Sequence, residues 1–141
     1  MALAWTPALA IGVEEIDEQH KELFRRADRL LSAVLAGDRA AEVGRLVEFL
    51  QEYAKVHFAA EEQLMHASGY SQLPEHRGEH RWFEEELARL AAELAIAGPT
   101  AQLAYALDRH LAGWLRNHVG LTDAALGRHL ARAGREPRAG K

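Results

Sequence analysis

The chain of 141 residues carries 17 basic and 21 acidic side chains, a formal net charge of -4, 48% hydrophobic residues and no cysteine. That length and hydrophobic content suit one compact core, and the charge balance lacks the basic footprint of a nucleic-acid binder. Without thiols, disulfide frameworks, thiolate nucleophiles, zinc ribbons and iron–sulfur clusters are excluded, so any metal must be held by nitrogen and oxygen.

The chain opens on an apolar arm, "MALAWTPALAIGVEE", spanning residues 1–15 and carrying Trp5, which is expected to pin the arm. Ala8-Leu9-Ala10 resembles a signal-peptidase site, but no Lys or Arg precedes it and Pro7 breaks a short apolar run, so a cytoplasmic location is expected. Asp17 is placed to cap a first helix running to Ala36, with Gly37 as its stop. Asp38 is placed to cap a second, which ends near Ala67 before Ser68-Gly69. Ser71 and Pro74 open a third that Gly98-Pro99 closes, and Thr100 caps a fourth reaching at least His118. Helices of this length joined by tight turns predict an all-α, up-down-up-down four-helix bundle over about 16–123. A short C-terminal tail, 124–141, completes a single domain spanning 1–141. No apolar run approaches the roughly 20 residues of a membrane span.

The apolar stripes of these helices are interrupted by histidine. The third reads His76, His80, Phe83, Leu87, Leu90, Leu94, spaced alternately four and three, so two imidazoles take places that packing would give to leucine. The second reads Val43, Leu46, Leu50, Tyr53, His57, Glu61, Leu64; the first, His20, Phe24, Ala27, Leu31, Val34; the fourth, Leu107, Leu111, Trp114, His118. In antiparallel succession, His20, His57, Glu61, His76, His80 and His118 all fall at one end of the bundle. Asp123 follows His118 by five residues, about 140° around an ideal helix, and joins the group only through a local widening or a helix end.

Buried imidazoles and carboxylates cost several kcal/mol each, of order, unless something satisfies them. The stripes offer no inward lysine or arginine, so a metal centre is the economical compensation, and imidazole with carboxylate suits iron, manganese or zinc. One tetrahedral zinc would strand three of the seven groups, so the count implies two metals.

"IDEQHKEL", "HFAAEEQLM", "HRGEH" and "NHVGLTD" together resemble the four ligand motifs of the bacterial hemerythrin family, over about Trp5 to Asp123. The resemblance implies that His76, His80 and His118 hold one iron and His20 and His57 the other, with Glu61 and Asp123 bridging. It also implies an oxo or hydroxo bridge between the irons, and Trp114 and Leu115 lining the oxygen pocket. Two octahedra offer twelve positions, of which histidines, bridging carboxylates and shared oxygen fill all but one. Dioxygen would bind at that open position, on the iron held by two histidines. The implied function is therefore reversible oxygen binding by a carrier or store, not an enzyme, acting as a monomer, with any oxygen-consuming protein partner unidentified.

Alternatives within the same site are sensing of oxygen, nitric oxide or iron, and iron buffering. A ferritin-like di-iron oxidase would need Glu-x-x-His pairs, which are absent, and a zinc hydrolase lacks "HExxH". His66, His110 and His129 have no partner at a ligand spacing and read as surface or cap residues, and Glu62, turned about 100° from Glu61, reads as solvated.

Overall fold

The computed structural model describes residues 3–135, and all regular structure among them is helical. A single 3-10 turn, Pro7–Leu9, sits in the arm, and then come α1 (Glu14–Leu35), α2 (Ala40–Ala67) and α3 (Leu73–Ala97). The fourth leg is one continuous helical path of changing pitch: α4 (Ala101–Ala106), a first π-helical segment (Leu107–Ala112), α5 (Gly113–Asn117), a second π-helical segment (His118–Asp123) and α6 (Ala124–Arg135). α1 packs on α2, α2 on α3, and the fourth leg returns to both α3 and α1, which closes the four-helix bundle.

Two expected boundaries stand as read. Thr100 caps α4, its Oγ1 accepting from the Leu103 N–H at 3.1 Å, and Gly98 ends α3 at φ 75°, a left-handed value that favours glycine. Three expected caps are corrected. α1 begins before Asp17, at Glu14, because the Asp17 carboxylate instead accepts from the Ile11 and Gly12 N–H groups at 2.8 and 3.3 Å, tying the arm to the helix start. α2 starts from Arg39 rather than Asp38, and α3 from Gln72 rather than Ser71, neither with a side-chain cap.

The core is built from the predicted stripes of α1 and α3, where Phe24, Leu31, Phe83, Leu87 and Leu90 are all buried. Each such side chain contributes about 1.5–3 kcal/mol relative to exposure. On α2 the stripe is displaced: Leu46, Tyr53 and Leu64 are only half-buried, whereas Val47, Ala54, Phe58 and Met65 lie inside. α2 packs on α1 and α3 at once, so its apolar face is broader than a one-residue row.

The C-terminal tail is helical through Arg135, where α6 is held against the site end of the bundle. Leu126 is fully buried, and the His129 Nε2 donates to the Ser68 carbonyl and hydroxyl at 3.1 and 3.2 Å, where α2 ends. Residue 127 must be glycine for the arm to seat, since a Cβ there would lie 2.5 Å from the Ile11 carbonyl oxygen. Trp5 is half-buried beside the core, with the Lys21 ammonium 4.8 Å over its ring.

Candidate metal centre

The seven residues singled out in the sequence are brought together. His20, His57, Glu61, His76, His80, His118 and Asp123 are all 2% exposed or less, a burial these types reach only when paired or ligating. α1 supplies His20 from its second turn, α2 supplies His57 and Glu61 near its end, and α3 supplies His76 and His80 near its start. The second π-helical segment begins at His118 and ends at Asp123. The widened turn replaces the 140° offset of a regular helix with near alignment, so the His118 Nε2 and Asp123 Oδ1 come within 3.1 Å.

The donor atoms divide into two sets. Glu61, His76, His80, His118 and Asp123 present atoms within 4.8 Å of one another, as do His20, His57, Glu61 and Asp123. Both carboxylates belong to both sets, one oxygen to each. Glu61 Oε2 lies 3.1 and 3.0 Å from the Nε2 atoms of His20 and His57, while its Oε1 lies 3.3 and 3.0 Å from those of His76 and His80. Asp123 Oδ2 lies 2.9 Å from His20, and its Oδ1 2.8 Å from His76. The carboxylates thus stand between a three-histidine side and a two-histidine side.

Three of the imidazoles are fixed from behind. His57 Nδ1 donates to Gln19 Oε1 at 2.7 Å, His80 Nδ1 to Glu62 Oε2 at 2.9 Å, and His118 Nδ1 to Glu79 Oε1 at 2.7 Å, where Thr122 Oγ1 also donates at 2.9 Å. A proton held on Nδ1 leaves Nε2 as the lone-pair atom facing inward, the arrangement that orients metal-ligating histidines. Glu62 is therefore not a solvated neighbour of Glu61: a turn of 100° aims it at α3, where His80 and Arg77 both donate to it. Gln19 and Glu79 were likewise missed, although each directly precedes a histidine of the cluster. Their angular offset from the ligand face, read as exposure, is what reaches the back of an imidazole on a neighbouring helix.

Electrostatics follow from burial and crowding. Burial pushes the His20 and His76 imidazoles down, yet the adjacent Asp123 and Glu61 carboxylates, which favour the protonated ring, outweigh it and raise both to about 9. For His118 the same contest ends well above the ordinary value, with the Asp123 charge the leading opponent of burial. Burial would push Glu61 up, but the His57 charge and the surrounding imidazoles hold it well below the carboxylate range. Asp123 is lowered against both burial and the Glu61 charge, chiefly by His118. The carboxylates thus favour a proton on His20, His76 and His118, and a cation bound among these donors would displace those protons.

A cation fits the donor set. The Nε2 atoms of His57 and His118 and both oxygens of Asp123 are buried and meet one another or their neighbours only at ion-pair distance, with no aligned hydrogen bond, and every donor is nitrogen or carboxylate oxygen. Leu115 is fully buried one turn before His118, and Trp114 lies on the His118 ring with centroids 4.4 Å apart. His66 is exposed and His110 42% exposed near Glu86, both apart from the cluster.

Comparison with known proteins agrees with this geometry. The chain is 32% identical to a bacteriohemerythrin of Stenotrophomonas maltophilia, over 98% of this chain and 90% of that one. It is 29% identical to a bacteriohemerythrin of Methylococcus capsulatus, over 89% and 94%, and 29% identical to a myohemerythrin of Sipunculus nudus, over 84% and 86%. A crystal structure of a hemerythrin leucine-to-alanine variant superposes with a TM-score of 0.79 at 27% identity, covering 93% of this chain and 99% of that chain. Residues 11–130 match the model of the hemerythrin HHE cation binding domain, and that span takes in all seven buried donors. The cluster is accordingly a metal-binding one, and the chain belongs to the hemerythrin HHE cation-binding family.

Proposed function

We propose that this chain binds dioxygen reversibly at a di-iron centre, as an oxygen carrier or store rather than an enzyme, acting as a monomer in the cytoplasm. His76, His80 and His118 would hold one iron, His20 and His57 the other, and Glu61 and Asp123 would span both. The observation that carries this reading is the two-sided placement of the carboxylates between unequal sets of histidines. When bound, an iron pair sharing an oxo or hydroxo oxygen would supply the two electrons that oxygen binding draws and oxygen release returns.

The protein's own residues favour reversibility. Gln19, Glu62 and Glu79 hold three imidazoles at fixed angles. Glu62 and Glu79 are each engaged by two donors, so neither is free to relay protons to a reacting substrate. Leu115, buried with no exposed surface one turn before His118, would wall the oxygen position with hydrocarbon and keep water and anions out. Trp114 braces the His118 ring by stacking. The names of the relatives, bacteriohemerythrin and myohemerythrin, support the same reading.

The test is the optical spectrum of iron-loaded protein, reduced anaerobically, exposed to air and then degassed. A carrier gains colour in air and loses it on degassing, with two irons per chain. Irreversible oxidation with turnover of an added substrate would overturn the proposal. Leu115→Ala should retain its iron and its oxygenated form yet oxidise faster than wild type, while Leu90→Ala should not. Equal oxidation rates in all three proteins would remove Leu115 from the wall.

A further inference from the structure

Aromatic rings next to the metal-ligating set are ordered in a way that core packing does not require. Trp114 lies flat on the His118 imidazole, the ring planes 9° from parallel. Trp82, on α3, stacks on Trp114 with centroids 6.1 Å apart and planes at 21°, and it is 41% exposed. Phe83, fully buried, supports Trp114 from inside at 4.6 Å. Three near-parallel π systems therefore lead from solvent to one imidazole of the three-histidine side.

Other aromatic contacts of the cluster do not make such a path. Phe58 stacks on His80 at 3.9 Å and 7°, but Phe58 is buried and its own aromatic neighbours return to Phe83 and Trp114. Tyr70 meets His76 edge-on, at 6.4 Å and 72°. The hydrogen-bonded exits from His80 and His118 end on the carboxylates of Glu62 and Glu79, which offer an external reductant no aromatic face. Face-to-face rings overlap through their π orbitals, and an indole left in water is an apolar surface that meets a partner at low cost.

We propose that Trp82 and Trp114 form the route by which electrons from an external one-electron, outer-sphere reductant reach an oxidised metal centre. The route rests on the iron reading above. It enters from solvent at Trp82 and reaches the centre through His118, on the three-histidine side, so reduction of a spent centre needs no reductant to pass Leu115. Two donor molecules each lose one electron, two ferric ions each gain one and become ferrous, and one solvent proton converts a bridging oxo to hydroxo. The indoles serve as orbital bridges and are neither oxidised nor reduced in the net step.

The experiment uses full-length, iron-loaded, oxidised protein and hexaammineruthenium(II) as the probe, mixed anaerobically while the absorption of the oxidised centre is followed. Trp82→Leu should slow reduction about tenfold, the scale on which contact-site changes alter encounter rates. Trp82→Phe should fall between, because it keeps a smaller ring. Tyr105→Leu, at an aromatic more exposed than Trp82 that stacks on no ligand, should match wild type. Reduction potential and oxygen affinity should be the same in all four proteins. A Trp82→Leu rate equal to wild type would overturn the route, and so would a slower rate accompanied by a shifted potential, which would place the effect in the site itself. A wild-type chain that takes up no iron pair would instead overturn the functional reading; iron uptake with equal rates overturns the route alone.

Discussion

The two ends of the bundle are equally buried and chemically opposite. At the far end Leu31, Val34, Val43, Leu94 and Leu103 close the core with hydrocarbon; at the other, five histidines, a glutamate and an aspartate occupy equivalent inward positions. Depth therefore does not distinguish a site from a core. The far end is stabilised by area removed from water alone, whereas the site end is stable only because each donor has an opposite charge or an outer partner to face. The difference teaches that the bundle is a neutral frame: its geometry brings four helix faces together, and side-chain chemistry decides what the meeting place does.

The sharpest way to break this comparison is to truncate one residue at each end. Glu61→Ala removes the oxygens that face both histidine sets, so cation content should fall from two per chain to nearly none by elemental analysis. Leu90→Ala should cost about 2–5 kcal/mol in denaturant unfolding and leave cation content intact. Retention of both cations in the Glu61 variant would show that the carboxylates are not shared.

Removing the metal should expose the electrostatics of the site end while the far end keeps the helices. Because His20 and His76 are raised from 6.5 to about 9, their stabilising contribution is complete below pH 6.5 and is lost as pH rises through about 9. Glu61, lowered from 4.5, contributes above pH 4.5 and is lost as pH falls through its folded value. Metal-free protein should thus be most stable between about pH 4.5 and 6.5 and melt at lower temperature by pH 9. The loaded protein should lack the alkaline decline, since a cation needs deprotonated imidazole. Parallel melting curves for the two forms between pH 6 and 9 would contradict the pairing described for these imidazoles and carboxylates.

A smaller effect should come from behind the ligands. Glu79→Gln and Glu62→Gln keep shape but weaken the hold on His118 and His80, and should reduce cation affinity about 10–100-fold in a chelator competition. Unchanged affinity would demote these carboxylates to surface residues. Smallest of all, His129→Ala removes the link from α6 to Ser68 and should cost about 1 kcal/mol with cation content unchanged. His66→Ala, at an exposed position, should stay within about 0.5 kcal/mol of wild type.

Much of this molecule was legible before folding was considered. Periodicity placed His76, His80, Phe83, Leu87 and Leu90 on one face because a helix repeats every 3.6 residues whatever surrounds it. The shortage of inward cations made a metal the natural partner for the seven donors. Even the need for a widened turn between His118 and Asp123 followed from angular arithmetic, and a π-helical segment supplies it. Family resemblance added an expectation of which donors would share a metal, something spacing alone left open.

Other features had no local signal. Asp17, Asp38 and Ser71 all looked like helix caps, since a polar residue before an apolar run is compatible with capping. The arm drew Asp17 away, and the other two starts needed no side-chain cap. Gln19, Glu62 and Glu79 lie off the ligand face of their own helices, and only the neighbouring helices turn those positions into partners of His57, His80 and His118. Gly127 reads as an ordinary helical glycine until the arm crosses it. By itself the sequence determined the four helices, the inward faces of α1 and α3 and the seven residues that gather at one end, because these depend on short-range geometry and composition. Only the tertiary structure decided which outer groups orient those donors and how arm and α6 close the end, because such contacts join residues that no local period relates.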